Sequence, residues 1–302
     1  MKRIPVTLGA LSLLLLLTVA SCTSTLSDEP MTDAPAISFM PAAETRAAVT
    51  GTLLPDGSSF SVWGGYDNDA TNVFKGETVT EENNVWTYGD DYRYWIAGKT
   101  YNFYAVYPTD VKADVSSYGT ITVTNFDCSK TGTEAVDLMT ATATGITYTA
   151  EQIPQPVAMK FSHLLSKVNI VATVEGGNAT VTKIVFAGMA TSGDYSSTGV
   201  WNNTQKSNFT KETDQILNAE GIDLLGDMLL IPQDVSGFTV TVDYTMDSKE
   251  QFSKTVTLPT AISQWQAGQS YKYTLTFKGD NIIFTVNVAA WNHSTGGIIT
   301  VE

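Results

Sequence analysis

From residue 47 onward, apolar and polar residues alternate with a period of two. Phe60-Ser61-Val62-Trp63, Ile121-Thr122-Val123-Thr124, Val181-Thr182-Lys183-Ile184 and Phe238-Thr239-Val240-Thr241-Val242 carry the pattern. So do Tyr271-Lys272-Tyr273-Thr274-Leu275-Thr276-Phe277 and Ile282-Ile283-Phe284-Thr285-Val286-Asn287-Val288. Alternation in runs rich in β-branched and aromatic residues predicts half-buried strands. Turn clusters separate them: Pro55-Asp56-Gly57, Glu175-Gly176-Gly177-Asn178 and Lys278-Gly279-Asp280-Asn281. Only residues 214–230 admit a short helix, and Gly221 and Gly226 argue against it. Many short strands with turns between them predict an all-β chain built of β-sandwiches.

One stretch recurs. Trp95-Ile96-Ala97-Gly98-Lys99-Thr100-Tyr101-Asn102-Phe103 matches Trp265-Gln266-Ala267-Gly268-Gln269-Ser270-Tyr271-Lys272-Tyr273, with the shared pattern W-x-A-G-x-[TS]-Y-x-[FY]. A Gly turn with a Trp before it and alternating aromatics after it can start a strand and cover its end. The separation of the copies suits two units built on one plan. Pro154 and Pro156 interrupt any ladder between them, so the boundary is expected there, giving units over 47–155 and 156–302.

The first residues follow a different pattern. Lys2 and Arg3 precede an apolar run, residues 8–20, that is too short to span a bilayer comfortably and has the layout of a secretory signal. It ends in Val19-Ala20-Ser21-Cys22, which resembles the lipobox of lipoprotein signal peptidase. That resemblance implies a signal peptide over 1–21 and acylation of Cys22. Residues 23–35, rich in Ser, Thr, Asp and Pro, read as a tether, so that 22–46 forms a tether or pro-segment.

Charge narrows the partners. The chain has 17 Lys and Arg against 31 Asp and Glu; with Lys2 and Arg3 in the leader, the remainder carries a net charge near −16. No basic cluster follows the leader, which argues against nucleic-acid binding. If Cys22 is acylated, Cys128 has no partner for an intrachain disulfide and reads as structural.

Chemistry is sparse. His163 shares strand parity with Val157, Met159 and Phe161 and is expected at an apolar seam; His293 lies in a turn before the last strand. Two distant histidines without a Cys pair make no zinc site. Asp67-Asn68-Asp69 lacks the Gly and terminal Glu of an EF-hand and reads as a solvated loop. No G-x-S-x-G elbow occurs, and no pair of carboxylates stands out. No catalytic residue, metal or cofactor is therefore expected. The ring-dense stretches Val85-Trp86-Thr87-Tyr88 and Asp91-Tyr92-Arg93-Tyr94-Trp95 alternate with polar residues, as strand packing requires, although sugar-binding surfaces also use rings.

Beyond Arg3 the chain has only Arg46 and Arg93. Arg46, in Glu44-Thr45-Arg46-Ala47-Ala48, precedes the first clear strand and suits an Arg-specific protease cutting before Ala47. At this point the chain resembles the fimbrillins, or type V pilins, of Bacteroidales. The resemblance rests on the order of several pieces: Cys22, Glu44-Thr45-Arg46, Phe60-Ser61-Val62-Trp63, residues 95–108, Val136-Asp137-Leu138-Met139, residues 161–168, residues 265–275 and Val288-Ala289-Ala290-Trp291.

The resemblance implies two transthyretin-like β-sandwich domains in tandem, and a lipoprotein displayed on the outer membrane or in a fimbrium. It implies cleavage after Arg46 that removes an N-terminal strand, with Ile37 and Phe39 as its apolar residues. A C-terminal strand of another fimbrial subunit would fill the groove, with Ile298, Ile299 and Val301 as candidate donor residues. Residues 298–301 equally suit the last strand of their own domain, in which case the chain is a tip or anchor subunit rather than a stalk subunit. Implied partners are other subunits, the outer membrane through lipid, a processing protease, and a host or bacterial surface ligand. In Bacteroidales lipoproteins an acidic cluster such as Ser27-Asp28-Glu29 is linked to surface display; a solvated linker would look the same. The rival reading is a surface glycan-binding lipoprotein.

Overall fold

A computed structural model describes residues 34–42, 54–247, 250–278, 281–291 and 299–300. Among these the regular structure is all strand, apart from one 3₁₀ turn at Gly132–Glu134. No helix of the described residues is long and apolar enough to cross a membrane.

The first sheet has seven strands. They are β1 (Phe39–Ala42), β2 (Ser59–Tyr66), β3 (Phe74–Glu82), β4 (Val85–Thr87), β5 (Thr100–Tyr107), β8 (Met139–Thr147) and β9 (Val157–His163), in the order β1-β9-β8-β5-β2-β3-β4. β1 is parallel to β9, and the other pairs are antiparallel. The sheet rolls until its two end strands, β1 and β4, lie against each other. Phe60, Val62, Phe74, Tyr101, Phe103, Met159 and Phe161 fill the enclosed core.

The second sheet contains β10 (Ser166–Val174), β13 (Ile222–Asp223), β14 (Met228–Leu230), β17 (Gln269–Lys278), β18 (Asn281–Ala290) and β19 (Ile299–Thr300). The third contains β6 (Ala113–Val115), β7 (Ile121–Asp127), β11 (Ala179–Ser196), β12 (Val200–Ile216), β15 (Thr239–Met246) and β16 (Glu250–Thr257). These two sheets share one core. Val168, Ile170, Tyr273, Leu275 and Phe277 from one meet Val181, Ile184, Phe186, Val240 and Val242 from the other. The inward residues are those the period-two pattern selects.

Residues 214–230 form no helix: they finish β12 and supply β13 and β14, and Gly221 and Gly226 adopt positive φ, where a helix cannot continue. Sheet membership runs across residue 155. β9 lies in the first sheet, while β6 and β7 reach the third by pairing β7 with β11. Pro154 and Pro156 interrupt the ladder, but they do not choose which sheet the next strand joins.

The repeated motif folds the same way twice. Trp95 and Trp265 are both buried. The Ile96 N–H donates to the Tyr101 hydroxyl at 2.9 Å, and the Gln266 N–H donates to the Tyr271 hydroxyl at 2.9 Å. Gly98 (φ +81°) and Gly268 (φ +70°) make the turn in a region that other residues avoid. Each tyrosine, at the start of its strand, reaches back across its turn and satisfies a backbone donor ahead of it.

Candidate functional site

The seat of β1 is the candidate site. Ile37, two residues before β1, and Phe39 within it face inward, 1% and 2% exposed, while Met40 faces outward. The Phe39 ring enters an aromatic box: Phe74 at 5.1 Å and Phe103 at 5.2 Å, both edge to face, and Tyr88 at 6.2 Å. Each such pair adds about 0.5–1.5 kcal/mol beyond area burial.

The backbone of this segment is held from two sides. The Ile37 N–H donates to the Arg93 carbonyl at 2.7 Å, and the Trp95 N–H donates to the Pro35 carbonyl at 3.1 Å. Tyr88 Oη donates to the Ile37 carbonyl at 2.8 Å and accepts from the Arg93 N–H at 3.2 Å. On the other side, Phe39–Ala42 pair with Val157–Lys160, and the Val157 N–H donates to the Ser38 carbonyl at 2.8 Å. Parallel pairs are slightly weaker per residue than antiparallel ones.

Arg93 fixes the outer wall. Its guanidinium meets the Asp91 carboxylate at 2.7 Å and the Glu77 carboxylate at 3.5 Å, and it donates to the Val73 and Asp91 carbonyls. The hydrogen bond it donates to the Asp91 carboxylate raises the guanidinium pKa further. Burial pushes the Tyr88 phenol up, so its hydroxyl stays protonated and able to donate. Beside Phe39, an apolar cleft of about 430 Å³ opens between β1 and β4, lined by Met40, Leu54, Val85, Trp86 and Pro156 among others.

Of the residues singled out in the sequence, Ile37 and Phe39 lie in this seat. Ile299 lies in β19, where it pairs with Val288 of β18 in its own chain. Cys22, Arg46, Ala47, Ile298, Val301 and His293 lie outside the described residues. His163 ends β9 at the seam between sheets. Its Nδ1 lies 2.9 Å from Asp137 Oδ2, and its ring stacks on the Trp291 indole at 3.9 Å and 10°. Asp67 pairs with Lys99, and Asp69 accepts from the Thr71 N–H. No group of three or more potential metal ligands occurs among the described residues.

Tyr88 and Arg93 were missed as walls of the seat. The density of rings over residues 85–95 was the available signal. Trp95 turns inward and Trp86 and Tyr88 are half-buried, whereas Tyr92 and Tyr94 are exposed; Tyr88 and Tyr92 cross at 72° rather than lying in one plane.

A second concavity, about 650 Å³, lies on the third sheet and is lined by Asn125, Asp127, Ser192, Asp194, Asn203 and Gln205 among others. Register shifts in β11 around Ser192 and Asp194 help shape it. The Asn125 N–H donates to Asp194 Oδ1 at 2.7 Å and Asn203 Nδ2 donates to Oδ2 at 2.6 Å, holding the carboxyl below its ordinary pKa.

Comparison with known proteins agrees with the fold. Residues 45–291 match the family described as fimbrillin-like. A fimbrial protein from Bacteroides vulgatus superposes with a TM-score of 0.55 at 20% identity, covering 77% of this chain and 93% of its own. Two proteins provisionally described as cell-adhesion proteins are also similar. That of Bacteroides ovatus gives a TM-score of 0.58 at 16% identity, covering 87% and 99% of the two chains. That of Bacteroides uniformis gives 0.56 at 17%, covering 85% and 99%. No curated protein matches. With the family match spanning most of its length, this chain belongs to the fimbrillin-like family.

Proposed function

We propose that this protein is a non-catalytic fimbrial subunit, exported as a lipoprotein acylated at Cys22, that assembles by strand exchange after cleavage between Arg46 and Ala47. We read its body as two transthyretin-like sandwiches in tandem. The observation that carries the reading is the manner in which β1 is held. It is a four-residue end strand, parallel to its neighbour, with few side chains buried and Arg46 four residues beyond its end. Ile37 and Phe39 each contribute a gross gain of about 1.5–3 kcal/mol from burial. Cutting the covalent link makes their departure a dissociation instead of a local opening.

A sheet that has lost β1 exposes the Val157–Lys160 edge and the box of Phe74, Phe103 and Tyr88. Such an edge beside apolar pockets is a template for another extended segment. The C-terminal segment around Ile298, Ile299 and Val301 of a second copy or of a related subunit has the composition to fill it. The lipid would hold the uncleaved chain at the outer membrane, and an anchor or tip subunit would differ from a stalk subunit in whether the cut is made.

The test is an Arg-specific protease on the full chain, read by mass spectrometry and electron microscopy. A new N-terminus at Ala47 and polymers that an Arg46→Ala chain does not form are the expected results. Polymers of undiminished length from Arg46→Ala would sink the reading.

A second reading, recognition of a surface glycan, is favoured by the polar concavity of β7, β11 and β12 rather than by the aromatic stretches. Its lining of carboxylates, amides and hydroxyls matches the donors and acceptors of a neutral sugar. Saturation-transfer NMR with neutral monosaccharides tests it. A signal lost in Gln205→Ala supports it, and silence across glucose, galactose, mannose and N-acetylglucosamine removes it.

A further inference from the structure

β9 is paired in two halves. Val157–Lys160 pair with β1, whereas the ladder with β8 spans only Phe161–His163, opposite Met139–Ala141. Loss of β1 therefore leaves the first half of β9 without a ladder neighbour, although Val157 and Met159 keep their apolar contacts in the core. What remains is a short anchor whose last residue is His163.

That same residue is clasped from the other end of the chain. The imidazole, its side chain only 9% exposed, lies flat on Trp291 at 3.9 Å and is fixed in its plane by Asp137 at 2.9 Å. Trp291 is the residue that follows β18, and its N–H donates to the Gly268 carbonyl at 2.8 Å. Three and four residues before it, Val288 and Asn287 carry the pairing with Ile299 and Thr300 of β19.

The geometry points to β9 as a coupling element: departure of β1 loosens the His163–Trp291 stack, and with it this chain's hold on its own β19. The inference rests on the strand-exchange reading, to which it adds a control. A subunit whose own groove is still filled keeps its C-terminal strand docked on β18. Only a subunit that has lost β1 offers that strand to a neighbour, so premature self-association is suppressed. The physical basis is a shared element. Each end of the chain stabilises one arrangement of β9, so each stabilises the other, and the coupling is reciprocal.

The chain has only two histidines, His163 and His293, so its histidine ring signals in proton NMR are simple to assign with a His163→Gln control. In the intact chain the ring current of Trp291 displaces the His163 signal. In a full-length Phe39→Asp chain, where a carboxylate in the aromatic box expels β1, the His163 signal should lose that displacement. Amide exchange at Val288, whose N–H faces β19, should rise about tenfold, within the usual range of coupling between sites.

The reverse arm uses Trp291→Ala, which leaves the β1 seat intact and should raise amide exchange across Val157–Lys160 by a similar factor. Faster exchange at Val157–Lys160 in Phe39→Asp with an unmoved His163 signal would overturn the inference. If Phe39→Asp does not fold, the Trp291→Ala arm decides it alone, and unchanged exchange at Val157–Lys160 there overturns it. Neither arm requires cleavage or polymers. Coupling without polymers after protease treatment would therefore fault the strand-exchange reading and leave the coupling standing.

Discussion

Tyr88 donates its hydroxyl to the Ile37 carbonyl at 2.8 Å while accepting the Arg93 N–H at 3.2 Å, so a single phenol ties β1 to the wall of its seat. The bond crosses the seam where the rolled first sheet meets itself. It joins two segments 51 residues apart in the chain.

A Tyr88→Phe substitution keeps the ring beside Phe39 and Phe74 and removes only this link. It leaves the Ile37 carbonyl and the Arg93 N–H without the phenol, at a cost of about 1–3 kcal/mol. Urea unfolding should show a lower midpoint, and amide exchange at β1 should accelerate more than exchange at β5. Equal acceleration throughout would mean that the bond stabilises the whole unit rather than the seat.

Trp265 is fully buried and donates its indole N–H to the Tyr273 hydroxyl at 3.0 Å. Trp265→Phe opens space in the larger core and strips a buried hydroxyl of a donor. The expected loss is about 2–4 kcal/mol. A thermal midpoint within a degree or so of the parent would contradict this account.

Burial raises the phenol pKa of Tyr273, Tyr101 and Tyr271 above the ordinary tyrosine range. The folded state therefore favours the neutral phenol more than the unfolded chain does, whose tyrosines titrate near 10. The resulting stability is full below about pH 10 and is lost as pH rises from there towards the raised values. Thermal midpoints measured from neutral to strongly alkaline pH should hold level and then fall. A fall beginning near neutrality would require another group.

Cys128 is buried, and burial pushes its thiol up to about 12. At pH 8 its thiolate fraction is on the order of 10⁻⁴. In a Cys22→Ser chain, iodoacetamide should label the folded protein far more slowly than the urea-unfolded one. Comparable rates would show that the thiol opens readily to solvent.

Much of the fold was legible because strands betray themselves locally. The alternation at Tyr271, Tyr273, Leu275 and Phe277 needs no partner strand to be read, since the pleat alone sends these residues to one face. The W-x-A-G repeat was readable for the same reason, because each turn, tryptophan and tyrosine act within nine residues. Residues 214–230 were harder: Ile222, Leu224, Leu225 and Met228 to Leu230 are spaced irregularly between glycines, and irregular spacing favours no period.

The sequence by itself determined the strand content, the inward and outward faces, the acidity and the absence of a second thiol to cross-link the body if Cys22 is acylated. It also marked Ile37 and Phe39 as apolar positions ahead of Arg46. Only the tertiary structure decided that β9 turns back to the first sheet, that β7 joins β11, and that Tyr88 and Arg93 wall the seat of β1. The physical reason is range. Side-chain alternation is imposed by the backbone of each strand, whereas the choice of neighbour depends on which distant edges the whole chain leaves free.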